Sequence, residues 1–198
     1  MKIIGALVGA ACLATAFQAQ AQEISLGLPG YGGSGCPSNS VSATLSPDQK
    51  SLSLLFDEYV VQAGGDTGKS LDRKTCNVAI PVRVPAGRSV SVLTVDYRGF
   101  NQLPPGARSQ FNVEYFFAGA RGPAFAQTFR GPREEDYLIT NQIVADAMVW
   151  SPCGEDVILR TNSSIRVNTT RNQEAMATVD TQDVKAAIVY QLQWRTCR

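Results

Sequence analysis

The stretch Cys76–Val84 reads CNVAIPVRV, with an apolar residue at every second position for nine residues. Successive side chains of a β-strand point to opposite faces, so this spacing predicts a strand with one buried face. Pro81 belongs to the opposite face of the same strand. Because proline donates no backbone hydrogen bond, its presence predicts a position at a sheet edge or a bulge.

The same period of two recurs along the chain and indicates the fold class. Leu52, Leu54 and Phe56 share one face of another strand, whereas Val90–Tyr97 is apolar on both faces and predicts a central strand. Short strands divided by Pro, Gly and Asn turns are typical of an all-β fold, here a single-domain antiparallel β-sandwich of jelly-roll type. Further strands are expected at 41–45, 111–117, 124–129, 136–143, 156–161, 164–168, 175–180 and 186–195, and helix-like spacing is confined to 141–149.

The amino terminus predicts export. Residues 1–21 have one positive charge, an apolar stretch and the small-x-small sequence Ala19-Gln20-Ala21, so we expect a signal peptide cleaved after Ala21. The alternative is a lipoprotein signal ending at Cys12, but Gly9 stands where such signals usually carry leucine. Residues 22–40 form an extended, glycine-rich segment, and residues 41–198 form the β-sandwich domain. The mature chain is therefore expected outside the cell or in the periplasm.

Four cysteines remain after cleavage: Cys36, Cys76, Cys153 and Cys197. An even number in an oxidising compartment predicts disulfides, and no close pair of the C-x2-C kind supports a zinc site. Four cysteines allow three connectivities. We favour Cys36–Cys76 with Cys153–Cys197, because each bridge then ties a terminal segment to a strand in its own half of the chain.

Composition narrows the classes of function. Lys and Arg total 18 and Asp and Glu total 17, there is no histidine, and Lys2 leaves with the signal peptide, so the mature formal charge is near zero. The sequence shows no excess of basic residues and no basic stripe, so binding to a nucleic acid is not expected. No later stretch reaches the length of a transmembrane helix. Arginine dominates the mature basic residues, which indicates surface ion pairs or, as an alternative, recognition of acidic sugars or anionic envelope polymers.

The most distinctive stretch is YRGFNQLPPG, residues 97–106. It combines aromatic rings, a guanidinium and side-chain amides before a rigid Pro-Pro-Gly turn, which are groups suited to stacking on sugars and to hydrogen bonding their hydroxyls. We therefore take a loop carrying Tyr97, Arg98, Phe100, Asn101 and Gln102 as the candidate ligand-binding site. The alternative is a loop folded back on the sandwich, with Arg98 covering an aromatic ring.

Catalysis has few candidate residues. Without histidine, Ser-His-Asp and Cys-His arrangements are impossible, and no cofactor or metal motif is present. Two carboxylates suffice for glycoside hydrolysis, and Asp96 and Glu114 are the best pair, provided that their strands are neighbours. Asn162 and Asn168 match the acceptor pattern for N-glycosylation, which matters only in a host that glycosylates.

Several motifs spread over nearly the whole mature chain carry a family resemblance. They are Gly35-Cys36-Pro37, Leu45-Ser46-Pro47-Asp48, Leu55-Phe56-Asp57-Glu58-Tyr59, Arg73-Lys74-Thr75-Cys76-Asn77, Pro85-Ala86-Gly87, Val95-Asp96-Tyr97-Arg98-Gly99-Phe100, Tyr115-Phe116-Phe117, Trp150-Ser151-Pro152-Cys153-Gly154 and Trp194-Arg195-Thr196-Cys197. In these motifs the chain resembles the secreted proteins of bacteria and fungi grouped as domain of unknown function 4360. The resemblance implies a secreted, disulfide-bonded domain and assigns no catalytic residues.

Together these features predict a secreted or cell-envelope, non-catalytic β-sandwich that binds a surface polymer (a glycan) or a protein partner. One alternative is a carboxylate-based polysaccharide hydrolase. Another is a secreted enzyme inhibitor that uses residues 100–106 or 120–133 as its inhibitory loop.

Overall fold

The computed structural model describes residues 25–119, 121–143, 148–170, 172–179 and 188–197, and these ranges form two antiparallel sheets. The strands are β1 (Ser25–Leu26), β2 (Gly30–Gly32), β3 (Val41–Leu45), β4 (Ser51–Phe56), β5 (Val60–Ala63), β6 (Leu71–Arg83), β7 (Arg88–Leu103), β8 (Arg108–Phe117), β9 (Ala124–Arg130), β10 (Arg133–Gln142), β11 (Val157–Asn168), β12 (Ala175–Thr178) and β13 (Ile188–Thr196). A 3-10 turn at Gly65–Thr67 follows β5. The predicted all-β sandwich is confirmed.

Sheet A has the strand order β1-β6-β11-β8-β9, and β2 also pairs with β6. Sheet B has the order β3-β4-β13-β7-β12-β5, and β10 pairs with β7. In sheet A, β11 lies between β6 and β8 and pairs along its whole length with β6. Strand β7 is the centre of sheet B, as its two apolar faces predict.

The core lies between the sheets and follows the alternation seen in the sequence. Val78, Ile80, Val82 and Val84 are all buried, so the stretch that indicates the fold does present one inward face. Pro81 points outward, and its carbonyl accepts a hydrogen bond from Gly27 N at 2.8 Å, beside the gap between β1 and β2. The missing N–H of proline therefore removes a hydrogen bond only at this edge of sheet A, where strand pairing is already interrupted, as predicted.

Polar groups inside the sandwich join the two sheets. Strand β11 points Thr161 and Ser163 inward, where the Thr161 hydroxyl bonds to the hydroxyl of Tyr190 in sheet B. Ser163 Oγ lies 3.0 Å from Tyr59 Oη and donates to Cys76 O at 3.1 Å. Buried hydroxyls are stable only when they find partners, so these contacts specify how the sheets face each other. We call Tyr59, Thr161, Ser163 and Tyr190 the inner polar layer.

Both favoured disulfides are confirmed. Cys36–Cys76 is fully buried and holds the segment before β3 against β6, with a Cα–Cα distance of 5.4 Å. Cys153–Cys197 joins the segment after β10 to the residue that follows β13, with a Cα–Cα distance of 5.9 Å. The glycine-rich segment before Cys36 adds the short strands β1 and β2 to the edge of sheet A.

The strands are longer than the sequence predicts in two places. The stretches 156–161 and 164–168 form one strand, β11, and residues 97–103 continue β7 instead of leaving it. Residues 141 and 142 end β10, and residues 144–147 of the helix-like stretch lie outside the described residues.

The signal peptide, its cleavage site and Cys12 also lie outside the described residues. Within the described part of the chain, no helix is long and apolar enough to cross a membrane.

Candidate functional site

The segment predicted as a binding loop is part of the central strand of sheet B. Tyr97 points into the sandwich with no exposed surface, and its ring stacks on Phe125 at 5.4 Å and meets Phe111 at 5.2 Å. Burial raises the pKa of Tyr97 far above its usual range, because the charged phenolate would be desolvated. The Tyr97 ring therefore belongs to the core and has no surface on which a sugar could stack.

Asn101 is also buried. It lies four residues after Tyr97, on the same face of β7. Its Oδ1 accepts a hydrogen bond from Ser109 Oγ at 2.5 Å, and its Nδ2 has no partner among the described residues. Gly99 lies between these two residues, and a Cβ there would overlap Thr178 O and Tyr137 Oη. The glycine of the YRGF unit therefore serves close packing of β7 against its neighbours.

Arg98, Phe100 and Gln102 point to the opposite, outer face of sheet B. They lie across from Leu138, Asp136 and Glu134 of β10, respectively. Gln102 also lines a surface groove of about 500 Å³ with Arg133, Glu134 and Glu174. The structure therefore divides the five predicted site residues between two sides of one sheet and does not bring them to one surface.

The carboxylates proposed for a hydrolase are also separated. Asp96 lies on the outer face of sheet B, where it accepts a hydrogen bond from Thr140 Oγ1 at 2.6 Å. Glu114 lies on the outer face of sheet A, in β8. Packed sheets are about 10 Å apart and both side chains point away from the core, so the two carboxylates exceed the separation of about 5–10 Å that a glycosidase needs. The condition that their strands are neighbours is therefore not met, since β7 and β8 belong to different sheets.

The candidate inhibitory loops are largely strands. Residues 100–103 end β7, and residues 124–130 form β9. Between β7 and β8 only a tight turn remains, which Ala107 N closes on Pro104 O at 3.0 Å. Across the described ranges, no group of three or more Cys, Asp or Glu side chains is placed to hold a metal ion.

The outer face of sheet A carries an extended polar surface. Strands β6, β8 and β11 alternate buried and exposed residues, so every second side chain reaches this face. Register places Thr75, Ser164, Asn112 and Ala126 in one row across four strands. The next row contains Asn77, Asn162, Glu114 and Ala124, and the two rows on the other side contain Arg73, Arg166, Gln110 and Thr128 and then Leu71, Asn168, Arg108 and Arg130.

A groove of about 460 Å³ occupies the centre of this outer face. Its polar lining comes from Arg73, Thr75, Asn77, Asn112, Glu114, Asn162 and Ser164. Asn112 Nδ2 lies 3.5 Å from Ser164 Oγ, a weak contact. Asn77, Asn162 and Glu114 make no side-chain hydrogen bond to any other described residue. We call this surface the polar groove.

The polar groove continues toward the arginine rows. A second groove of about 380 Å³ is lined by Arg108, Gln110, Thr128, Arg130, Arg166 and Asn168 on the same face. From Arg108 to Glu114 the surface follows six residues of β8, or about 20 Å at the rise of a β-strand. The two grooves thus form a long surface that combines amide, hydroxyl and guanidinium groups.

Comparison with known proteins identifies the family of this chain. Residues 22–197 match the sequence profile of the family described as Domain of unknown function (DUF4360). The chain belongs to this family. The resemblance recognised in the cysteine, tryptophan and aromatic motifs is therefore confirmed.

A fungal relative of this DUF4360 chain is also known. An "Uncharacterized secreted protein" of Arthroderma benhamiae is 35% identical over 169 residues, which cover 84% of this chain and 69% of the relative. A secreted relative and two disulfides fit an extracellular location.

Sequence reasoning missed the outer face of sheet A, although part of its signal was present. Polar residues stand at every second position in 73–77, 108–114 and 160–168. That alternation predicts solvated strand faces, but it does not reveal that β6, β11 and β8 are neighbours. The absence of a basic stripe in the sequence was misleading, because pairing brings arginines from four strands onto one face. Asn162 and Asn168, which match the glycosylation pattern, are exposed on this face as well.

Proposed function

We propose that this protein is a secreted, non-catalytic glycan-binding β-sandwich whose ligand lies along the polar groove of sheet A. The observation that carries the proposal is the set of exposed groove side chains that have no partner within the described protein, chiefly Asn77, Asn162 and Glu114. Amide groups offer both donors and acceptors, which matches the hydroxyl groups of a sugar chain.

The rigidity of the scaffold supports this proposal. The groove residues lie on strands, and β6 is tied to the preceding segment by the buried Cys36–Cys76 disulfide. A side chain held on a sheet loses less conformational freedom on binding than one on a mobile loop, so more of its interaction free energy contributes to affinity. The length of the grooves suits a polymer more than a small molecule.

The structure supports glycan binding in the polar groove better than hydrolysis or enzyme inhibition. A hydrolase based on Asp96 and Glu114 would need both carboxylates at one site, and they lie on different sheets. An inhibitor based on 100–106 or 120–133 would need protruding loops where the chain has β7 and β9. The sequence-predicted surface of Arg98, Phe100 and Gln102 remains a second candidate for the same glycan-binding function.

A glycan array tests the proposal. It is probed with the full chain after secretion by the expression host. Production in a bacterial periplasm permits disulfide formation, and a host without N-glycosylation leaves Asn162 unmodified. We expect binding to at least one extended glycan, and we expect Asn112→Ala and Asn162→Ala each to weaken that binding about fivefold, the effect of losing one hydrogen bond of about 1 kcal/mol. Arg98→Gln is the matched variant on the outer face of sheet B and should bind normally.

Two results would overturn this proposal. No glycan bound by a folded protein would reject the function itself. Binding that is lost in Arg98→Gln and retained in both asparagine variants would move the site to the outer face of sheet B. Unchanged thermal unfolding of the three variants serves as the control for folding.

A further inference from the structure

Four arginines gather at one end of the outer face of sheet A. Arg73 of β6 lies directly across from Arg166 of β11, and Arg108 of β8 lies directly across from Arg130 of β9. All four side chains are exposed. Gln110 separates the two pairs, since it lies across from both Arg166 and Thr128.

This arrangement is unfavourable for the isolated protein. Like charges directly opposite each other on neighbouring strands destabilise a sheet. The ion pairs among the described residues are Lys69–Asp72 and Arg133–Glu135, so none of the four arginines has a carboxylate partner there. Glu114 shares the face but lies six residues along β8 from Arg108. The four guanidinium groups are therefore uncompensated in the described part of the chain.

We infer that this basic end binds the carboxylate or sulfate groups of an acidic polysaccharide whose chain continues into the polar groove. The inference rests on the proposed function and adds the charge class of the glycan. Arginine presents paired donors that match a carboxylate or sulfate, and an anion bound between two opposed arginines also relieves their repulsion.

The spacing of the arginines suits a polymer with repeated charges. The row that contains Arg73 and Arg166 and the row that contains Arg108 and Arg130 are two residues apart along the strands, or about 7 Å. The two pairs occupy different strands, so the positive charge runs diagonally across β6, β11, β8 and β9. A single small anion would contact one pair, whereas a polyanion contacts both.

The lining of the grooves favours a polysaccharide over a nucleic acid. Proteins that hold single-stranded nucleic acid combine a basic groove with aromatic rings on which bases stack. The only aromatic residue among the described lining of these two grooves is Phe125, whose ring already stacks on buried Tyr97 with an interplanar angle of 9°. The polar side chains of the lining are chiefly guanidinium, amide and hydroxyl groups, and these bind anionic and hydroxyl groups.

The test measures affinity of the full, secreted chain for four probes. They are polygalacturonate, the same polymer with its carboxylates methyl-esterified, heparin and a single-stranded oligonucleotide. We expect polygalacturonate or heparin to bind, with affinity that falls when salt is raised from about 50 mM to about 200 mM. The esterified polymer should bind at least about tenfold more weakly, because it keeps the backbone and loses the charge.

Double substitutions locate the site. Arg73→Gln/Arg166→Gln and Arg108→Gln/Arg130→Gln should each weaken binding of the acidic polymer by at least about tenfold, since each removes two charge-assisted contacts. Arg88→Gln removes a single exposed arginine at the start of β7 in sheet B, away from both grooves and from the Arg98 surface, and should leave the affinity unchanged. Both double variants should unfold at the same temperature as the parent chain or a higher one, which separates lost binding from lost structure.

The outcomes distinguish this inference from the proposed function. Equal binding of the esterified and charged polymers, or array binding to neutral glycans alone, rejects the acidic class and leaves glycan binding intact. No binding to these probes and none on the array rejects both. Tighter binding of the oligonucleotide than of either acidic polysaccharide also rejects the inference, and unaltered binding in the two double variants does the same.

Discussion

The two faces of strand β11 carry polar residues in opposite situations. Inward, Thr161 and Ser163 bond to tyrosines from the other half of the sandwich. Outward, Asn162 and Arg166 have no described partner and line the grooves. One strand therefore uses alternate polar residues to join the sheets and to face solvent. Polarity alone therefore does not indicate a binding site, since only the outward groups are free to contact a ligand.

The largest expected effect concerns the inward side and appears at alkaline pH. Burial raises the pKa of five core tyrosines above the ordinary value of 10.0, because their charged forms would be desolvated: Tyr59, Tyr97, Tyr115, Tyr137 and Tyr190. The unfolded chain ionises at about pH 10 and the folded chain only above it. Their contribution to stability is thus complete below pH 10 and is lost as pH rises beyond it, by up to about 1.4 kcal/mol per pH unit for each tyrosine that is still protonated in the folded chain at that pH.

Circular dichroism against pH checks this expectation. The free energy of unfolding should be level from neutral pH to about pH 10 and should then fall steeply. A Tyr59→Phe/Tyr190→Phe variant carries two fewer such groups, so its stability should fall less steeply in the alkaline range. A free energy of unfolding that stays level well above pH 10 would contradict the burial of these phenols.

Next in size is the loss of one hydroxyl from the inner polar layer. Thr161→Val keeps the shape of the side chain but leaves the buried Tyr190 hydroxyl without its partner. We expect a loss of about 1–3 kcal/mol in the free energy of unfolding, measured in urea. Thr161→Ser retains the hydroxyl and should lose less than Thr161→Val, and the reverse order would argue against the hydrogen bond as the cause.

The neighbouring outward residue should show the opposite behaviour. Asn162→Ala should change stability by less than about 0.5 kcal/mol, because its amide has no partner in the described protein. Its effect belongs to binding, where loss of one hydrogen bond of about 1 kcal/mol weakens glycan affinity about fivefold. The comparison between the two faces fails if Asn162→Ala unfolds the protein or if Thr161→Val alters affinity while the protein stays folded.

The smallest expected effect is a gain in stability. Arg166→Gln removes the repulsion between Arg166 and Arg73 and should stabilise the unliganded protein by about 0.2–1 kcal/mol. For a chain of this size that corresponds to a rise of about 0.4–4 °C in the melting temperature. Arg98→Gln serves as the control, because Arg98 lies across from Leu138 and relieves no like-charge contact. A lower melting temperature for Arg166→Gln would show that Arg166 is compensated.

The fold was largely predictable because its signals are local. Alternation in Cys76–Val84 and in 111–117 reports which side of a strand is buried, whatever strand lies beside it. The candidate site was not predictable in the same way. Tyr97 and Asn101 have the chemistry of a binding loop, but β7 extends through them and buries them, since pairing with β10 and β12 satisfies a backbone that looked like a turn.

The sequence alone predicts an all-β, secreted chain with two disulfides, and it indicates which residues of each strand face inward. Those properties follow from period, composition and cysteine spacing, which act over a few residues or through simple counting. Which strands are neighbours is visible only once the chain is folded. Pairing β6 with β11 and β11 with β8 collects Arg73, Arg166 and Arg108 on one face, although they lie far apart in the chain. Charge on a surface depends on strand order, and strand order is set by long-range packing between sheets.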